Sequence, residues 1–337
     1  MKSTNHRFRR ALRMTFLVLL ATIPVLPASA ADPATTNDVI HESRRYFGGH
    51  LFLPCSSVPD PFITTTLTNT TGFGQASNIA VPIRNLDGDQ IGELNGNIAF
   101  LFLEFGYQQS FGEKFALRVG ASGGARSGTS AEAILAEGLS SIYGYGLGGS
   151  YGIVRKRNWQ LTGTADLRSN TLYGVSPGDF LRSVVAQIRE GDTTDVPTDS
   201  LLSSGSNLRA LAGLRGAWTP TPCLGFTAFF ETGLGERFEE GEDNLAVVNT
   251  GASVSFDLNP LNRIPLGFVL SGRHESLSER GDDLGGSVET FGFGLFYTGR
   301  RDFVVGLDNT WGRVAREEID GNIDTFQGRI LLRYDFN

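Results

Sequence analysis

The last twelve residues constrain the fold most. Phe326 to Asn337 reads FQGRILLRYDFN. Phe326, Gly328, Ile330, Leu332, Tyr334 and Phe336 fall on one face, and Gln327, Arg329, Leu331, Arg333, Asp335 and Asn337 fall on the other. A period of two is the signature of a strand. One face is apolar and ends in aromatics, while the other carries Arg, Gln and Asp. Such a strand suits a wall with lipid on one side and a wet interior on the other.

The same rhythm recurs along the chain. It runs through Gly96–Gln109, Phe115–Arg126, Ser140–Val154 and the stretch from Trp159, where Leu161, Gly163, Ala165 and Leu167 alternate with Gln160, Thr162, Thr164, Asp166 and Arg168. Further strands carry Leu208–Trp218, Phe226–Leu234, Val248–Leu258, Ile264–Arg273, Phe291–Tyr297 and Phe303–Trp311. With the C-terminal segment these make eleven strands of roughly 11–15 residues. Soluble strands average about 5–6 residues. About 9–11 tilted residues cross a bilayer. The length excludes an ordinary soluble sandwich.

The aromatic ending resembles the last strand of bacterial outer-membrane β-barrels. That resemblance implies that Tyr334 and Phe336 form a signal read by the barrel assembly machinery; Asn337 extends one residue past the pattern. Over about residues 60–337 the chain resembles porin-like or transporter-like outer-membrane proteins. The expected fold is all-β, a transmembrane antiparallel up-and-down barrel of about twelve strands with short helices in its outer loops. Phe62–Thr70 is the candidate first strand that makes the number even.

Residues 1–30 read as a secretory signal: Arg7, Arg9, Arg10 and Arg13, then a short apolar core from Met14 to Leu26, then Ala28-Ser29-Ala30. The predicted division is signal peptide 1–30, a periplasmic or lumen-entering segment 31–60, and a barrel 61–337. Without the five basic residues of 1–30 the chain holds 24 basic against 36 acidic residues, net −12. That argues against a nucleic-acid partner. Export exposes Cys55 and Cys223 to an oxidising compartment, which allows a disulfide between them.

Connections alternate in length. Short turns fall near 110–114, 155–158, 220–222, 259–263 and 300–301, and longer links at 71–95, 127–139, 171–205, 237–244, 277–285 and 316–322. The long links sum to −14 and the short turns to +6. Barrels of this kind keep short turns in the periplasm and long loops outside. Both termini are then periplasmic, and the acidic links face lipopolysaccharide. Ser176-Pro177 opens a candidate helix whose stripe is Phe180, Leu181, Val184, Val185 and Ile188, and Ala131–Leu139 is a shorter candidate.

Placing each apolar face toward lipid turns Glu104, Arg118, Asp166, Arg168, Arg209, Arg215, Glu231, Asp257, Arg273, Asp308, Arg329, Arg333 and Asp335 inward. Two readings follow: a narrow pore with Arg-set selectivity for small solutes, or a lumen closed by paired charges. Twelve strands lie between filled eight-stranded and open 16–18-stranded barrels, so the count leaves both standing. The chain has no HExxH, CxxC or P-loop, so no cofactor or metal is expected. His274 and Ser276 look like the His-x-Ser arrangement of outer-membrane phospholipase and lipid A deacylase barrels, though Leu277 stands where those families commonly place Asn. This implies an alternative role as an outer-leaflet lipid hydrolase. A closed structural or adhesive barrel is the third reading. The acidic run Glu239-Glu240-Gly241-Glu242-Asp243 could hold divalent cations on lipopolysaccharide phosphates.

Overall fold

The computed structural model describes residues 45–84, 90–129, 139–175, 202–236, 245–279, 286–316 and 322–336. Residues 1–30, expected to be a signal, the helix candidates within 130–138 and 176–201, and the acidic run 239–243 lie outside them.

A small hairpin opens the described chain, β1 (Tyr46–Phe47) and β2 (His50–Leu51). Gly48 and Gly49 form its two-residue turn with φ of +62° and +83°. Those positive angles suit glycine and match the twist of a tight hairpin.

Twelve long strands follow: β3 (Thr65–Arg84), β4 (Gln90–Phe111), β5 (Phe115–Gly128), β6 (Leu139–Arg155), β7 (Trp159–Val175) and β8 (Leu202–Thr221). The second half holds β9 (Leu224–Gly235), β10 (Leu245–Asp257), β11 (Leu266–Glu279), β12 (Gly286–Tyr297), β13 (Phe303–Arg316) and β14 (Asn322–Phe336). Each pairs antiparallel with its sequence neighbours. β14 also pairs with β3, from Phe336 opposite Thr65 to Asp324 opposite Ser77, and this closes the barrel. No edge is left to satisfy, which is what a lipid environment demands of a sheet.

Side chains alternate as the sequence pattern requires, but the sense is inverted relative to a soluble protein. Tyr145 is 67% exposed and Leu101 65%, both pointing out of the barrel, while inward-facing Glu231 is 1% exposed. Water would drive these groups the other way; lipid favours this arrangement. Aromatics gather toward both rims. Near the short turns Trp218 stacks on Phe226 at 5.3 Å and Phe256 on Phe268 at 4.7 Å, with Tyr334 against Phe336. Toward the other rim Phe73, Phe326, Trp311 and Phe291 form a chain of ring contacts. Two aromatic girdles around an apolar band mark a membrane-spanning barrel.

Two expectations are corrected. The first barrel strand is Thr65–Arg84, not Phe62–Thr70. The Phe62 ring is buried 5.0 Å from Phe52, where no lipid-facing side chain could be. The connection expected at 71–95 shrinks to 85–89, because β3 and β4 run far beyond the pattern that marked them. A bulge sets two residues of β3, Ser77 and Asn78, against one of β4, and Asn78 takes φ +62°. The extra residue switches faces and breaks the period of two. Among the described residues, the one helix is α1 (Asn259–Asn262), in the short turn between β10 and β11.

Candidate functional site

Residues 45–64 lie inside the barrel, at the end where the short turns are. Leu51 and Leu53 pack on Val269, Phe296, Val304 and Leu331, which project inward from β11, β12, β13 and β14. Phe52 and Phe62 form a second cluster with Ala217 of β8. Burial of each such side chain contributes about 1.5–3 kcal/mol. The segment also suits its place by what it lacks. Pro54, Pro59 and Pro61 have no N–H, so a chain without sheet partners carries fewer donors to satisfy.

Polar anchors tie the segment to much of the circumference. The Ser56 N–H donates to Asp308 of β13 at 3.0 Å, and Ser57 donates to Ser271 of β11 at 2.6 Å. Gln160 and Thr162 of β7 donate to the Pro61 carbonyl at 2.6 and 2.7 Å. Gln108 of β4 donates to the carbonyls of Phe62 and Thr64 at 2.8 and 2.9 Å. On β8 Arg215 donates to the Asp60 carbonyl at 3.3 Å.

Asp60 is the ionic latch. Its carboxylate pairs with Arg45 at 2.7 Å and with Arg333 of β14, which also pairs with Asp335 at 3.1 Å. Burial by itself would raise the Asp60 carboxyl; Arg333 and Arg45 more than offset it and hold the group near about 2. The Arg45 guanidinium also lies over the Phe62 ring at 5.6 Å.

His50 is the second anchor. Nδ1 faces the Pro222 carbonyl at 3.1 Å and Nε2 faces the Ser255 hydroxyl at 2.8 Å. A carbonyl only accepts, so Nδ1 carries the proton of the neutral ring and Nε2 accepts from Ser255. Burial lowers the His50 pKa from 6.5 to about 4, against a smaller opposing effect of the Pro222 carbonyl. Above pH 6.5 the ring is neutral docked or free, and docking has its full strength. As pH falls from 6.5 toward about 4, the free segment binds a proton and the docked one does not. Docking therefore weakens by about 1.4 kcal/mol per pH unit over that window. The Asp60 contribution is lost only as pH falls from about 4 toward about 2, so the latch persists throughout. Protease cleavage within residues 45–64 should rise between pH 7 and 4.5, and His50→Gln should flatten that response.

Room for the ring comes from Gly225 of β9. A Cβ there would run into the His50 imidazole and come within 2.8 Å of Phe52 Cε1. Gly225→Val should leave the wall able to form, since β-branched residues favour strands, yet displace the segment. Newly accessible protease sites in 45–64 are the expected readout; protection equal to the parent would count against this packing.

The thirteen charges assigned inward from the sequence all sit on inward strand positions. The structure gathers them into separate groups. Asp166 of β7 binds Arg118 of β5 at 2.5 Å and Arg215 of β8 at 2.6 Å, and Arg215 also holds Glu231 of β9 at 2.6 Å. Nearer the long links, Arg209 pairs with Glu275 at 3.1 Å, and Arg273 reaches Glu275 and donates to the Asn249 side-chain Oδ1, the latter at 2.8 Å. Arg329 contacts Gln327 and lies over the inward Phe102 ring at 5.1 Å. Asp257 accepts from Thr298 at 2.9 Å and from the Asn259 N–H at 3.0 Å, where the chain enters α1. Arg168 and Glu104 line a cavity of about 330 Å³ between the segment and the wall.

Sequence reasoning missed Arg45, His50, Asp60 and Glu275. A Gly-Gly turn between Phe47 and His50 was the available signal for the hairpin. The two thiols are free here: Cys55 Sγ lies 3.0 Å from Ser57 and Cys223 Sγ 3.4 Å from Thr221. Burial pushes the Cys55 thiol up, with Asp308 adding to the effect. His274 is exposed on the outer face as expected, opposite Glu289 of β12, but among the described residues no hydrogen bond or ion pair joins it to Ser276 or Glu289. No group of metal-ligating side chains occurs among the described residues.

No family model and no curated protein matches the chain. Solved structures similar to it include an outer-membrane channel from Pseudomonas putida F1, 10% identical over 85% of this chain and 100% of that one, with a TM-score of 0.49. The β domain of the Bordetella autotransporter BrkA is 12% identical over 81% of this chain and 100% of its own, TM-score 0.48. The translocator domain of the autotransporter NalP from Neisseria meningitidis is 12% identical over 81% and 88%, TM-score 0.44. With such distant likenesses, the function of this chain is read from its own lumen.

Proposed function

We propose that the protein is a passive outer-membrane channel for small solutes, narrowed at its periplasmic end by its own residues 45–64. The observation that carries this is the interior itself: a closed wall, charged and hydrogen-bonding groups turned inward, and a solute-sized cavity above the segment. A barrel needed only as a membrane anchor has no use for inward Arg168 and Glu104. The short basic turns lie in the periplasm with both termini, and the acidic links meet lipopolysaccharide. Tyr334 and Phe336 serve the assembly machinery. No cofactor takes part.

A closed structural barrel is the second reading, favoured by the tight burial of His50, Phe52 and Phe62. Lipid hydrolysis has no such support, because among the described residues His274 and Ser276 make no contact with each other or with an orienting acid. Single-channel recording of the refolded mature chain in a planar bilayer separates the first two. Discrete steps whose ion preference shifts in Arg168→Gln are expected for the channel. A folded barrel that stays silent at all voltages would leave the structural reading.

A further inference from the structure

Around the cavity nearly every charge has a counter-charge. Asp60 and Asp335 take Arg45 and Arg333, and Glu231 takes Arg215. Asp166 gives Oδ1 to Arg118 and Oδ2 to Arg215. Both oxygens are then engaged, and Arg168 is left 3.7 Å from Oδ2, past hydrogen-bond reach, with 42% of its side chain exposed. On β4, Glu104 lines the same cavity, is exposed, and has no hydrogen bond or ion pair among the described residues.

The cavity therefore presents two groups of opposite sign on different strands: Glu104, which is unpaired among the described residues, and Arg168, held only loosely by an Asp166 that two other arginines already share. Arg118, Arg168 and Arg215 against Asp166 and Glu231 leave one positive charge, and Glu104 supplies one negative. The abundance of arginine does not make this an anion site. A simple anion drawn to Arg168 meets Glu104, and a simple cation drawn to Glu104 meets Arg168 and its neighbours. A molecule bearing both a carboxylate and an ammonium satisfies both at once.

We propose that this cavity binds a small zwitterion of the amino-acid type, with its carboxylate on Arg168 and its ammonium on Glu104. The inference rests on reading the lumen as a solute path, and it names the solute class. Two further features fit. Arg118 also lines the cavity with a quarter of its side chain exposed, so its guanidinium is within reach of a side-chain acceptor of the solute. Val58 and Leu53 supply an apolar floor. The volume of about 330 Å³ falls in the range of small-molecule sites.

Calorimetric titration of the detergent-folded mature chain tests it with three probes: L-glutamine, succinate and putrescine. Glutamine should bind, and succinate and putrescine should bind at least about tenfold more weakly, or about 1.4 kcal/mol. Glu104→Gln and Arg168→Gln should each weaken glutamine by about tenfold or more, and Glu104→Gln should improve succinate. Both side chains are exposed, so neither change threatens the wall. Succinate or putrescine binding as tightly as glutamine, glutamine binding untouched by both substitutions, or no binding of glutamine would each overturn the proposal. Conductance of the same preparations separates the two readings. A silent barrel that binds glutamine defeats the channel alone, and a conducting barrel that ignores glutamine defeats the zwitterion site alone.

Discussion

Mature protein lacking residues 31–60 should still insert as a barrel but conduct several times more current per channel than the full chain. The argument is steric. Residues 45–64 occupy the short-turn end of the lumen, and twelve strands enclose more space than eight-stranded barrels, which their own side chains fill. The wall should survive because its backbone hydrogen bonds run strand to strand. It should nevertheless be weakened. Val269, Phe296, Val304 and Leu331 would turn from a dry contact to water, at about 1.5–3 kcal/mol for each fully re-exposed side chain. Asp60→Asn offers a gentler version. It leaves Arg45 and Arg333 with Asp335 as their carboxylate partner, a loss of about 3–5 kcal/mol if the pairing stays dry. Flickering openings at otherwise normal barrel stability are expected for it. Equal conductance with and without the segment would show that these residues do not narrow the path.

Arg215→Ala should be the most damaging single change in the wall. The guanidinium is 1% exposed, binds Asp166 and Glu231, and touches the segment through the Asp60 carbonyl. Truncation leaves Glu231 buried without a counter-charge and costs about 3–5 kcal/mol. The barrel should lose its heat-resistant gel mobility at a lower temperature and unfold at lower urea. Adding Glu231→Gln should restore part of the loss, because the stranded charge goes with it. A change below about 1 kcal/mol would mean that water reaches the network and screens it.

Most of the barrel was legible because a membrane wall imposes a strict pattern. Ile330, Leu332, Tyr334 and Phe336 had to alternate with Leu331, Arg333 and Asp335 once one face met lipid. The same constraint placed Arg118, Asp166, Arg215 and Glu231 inward without any coordinates. Where the constraint lapses, so did legibility. β3 is polar on much of its outer face, with Asn69, Thr71 and Gln75, and carries the bulge at Asn78, so its extent was not readable.

The occupied lumen left one trace. β11 to β14 are apolar on both faces near the short turns, as in LGFVL, FGLFY, FVVGL and RILLR. A wet interior does not explain Val269, Phe296, Val304 or Leu331; a covered one does. What covers them is not a local property. Residues 45–64 lack a period, and their partners lie as far as 273 residues away, as in the contact between Asp60 and Arg333.

By itself, then, the sequence determined the strand number, the two faces and the list of inward charges, because alternation is a local consequence of the solvent on each side. The tertiary structure alone decided which charges pair, that Arg168 and Glu104 are left over, and that the chain fills its own lumen. Those outcomes depend on distances across a closed barrel, and closure brings together residues whose separation along the chain carries no record of their contact.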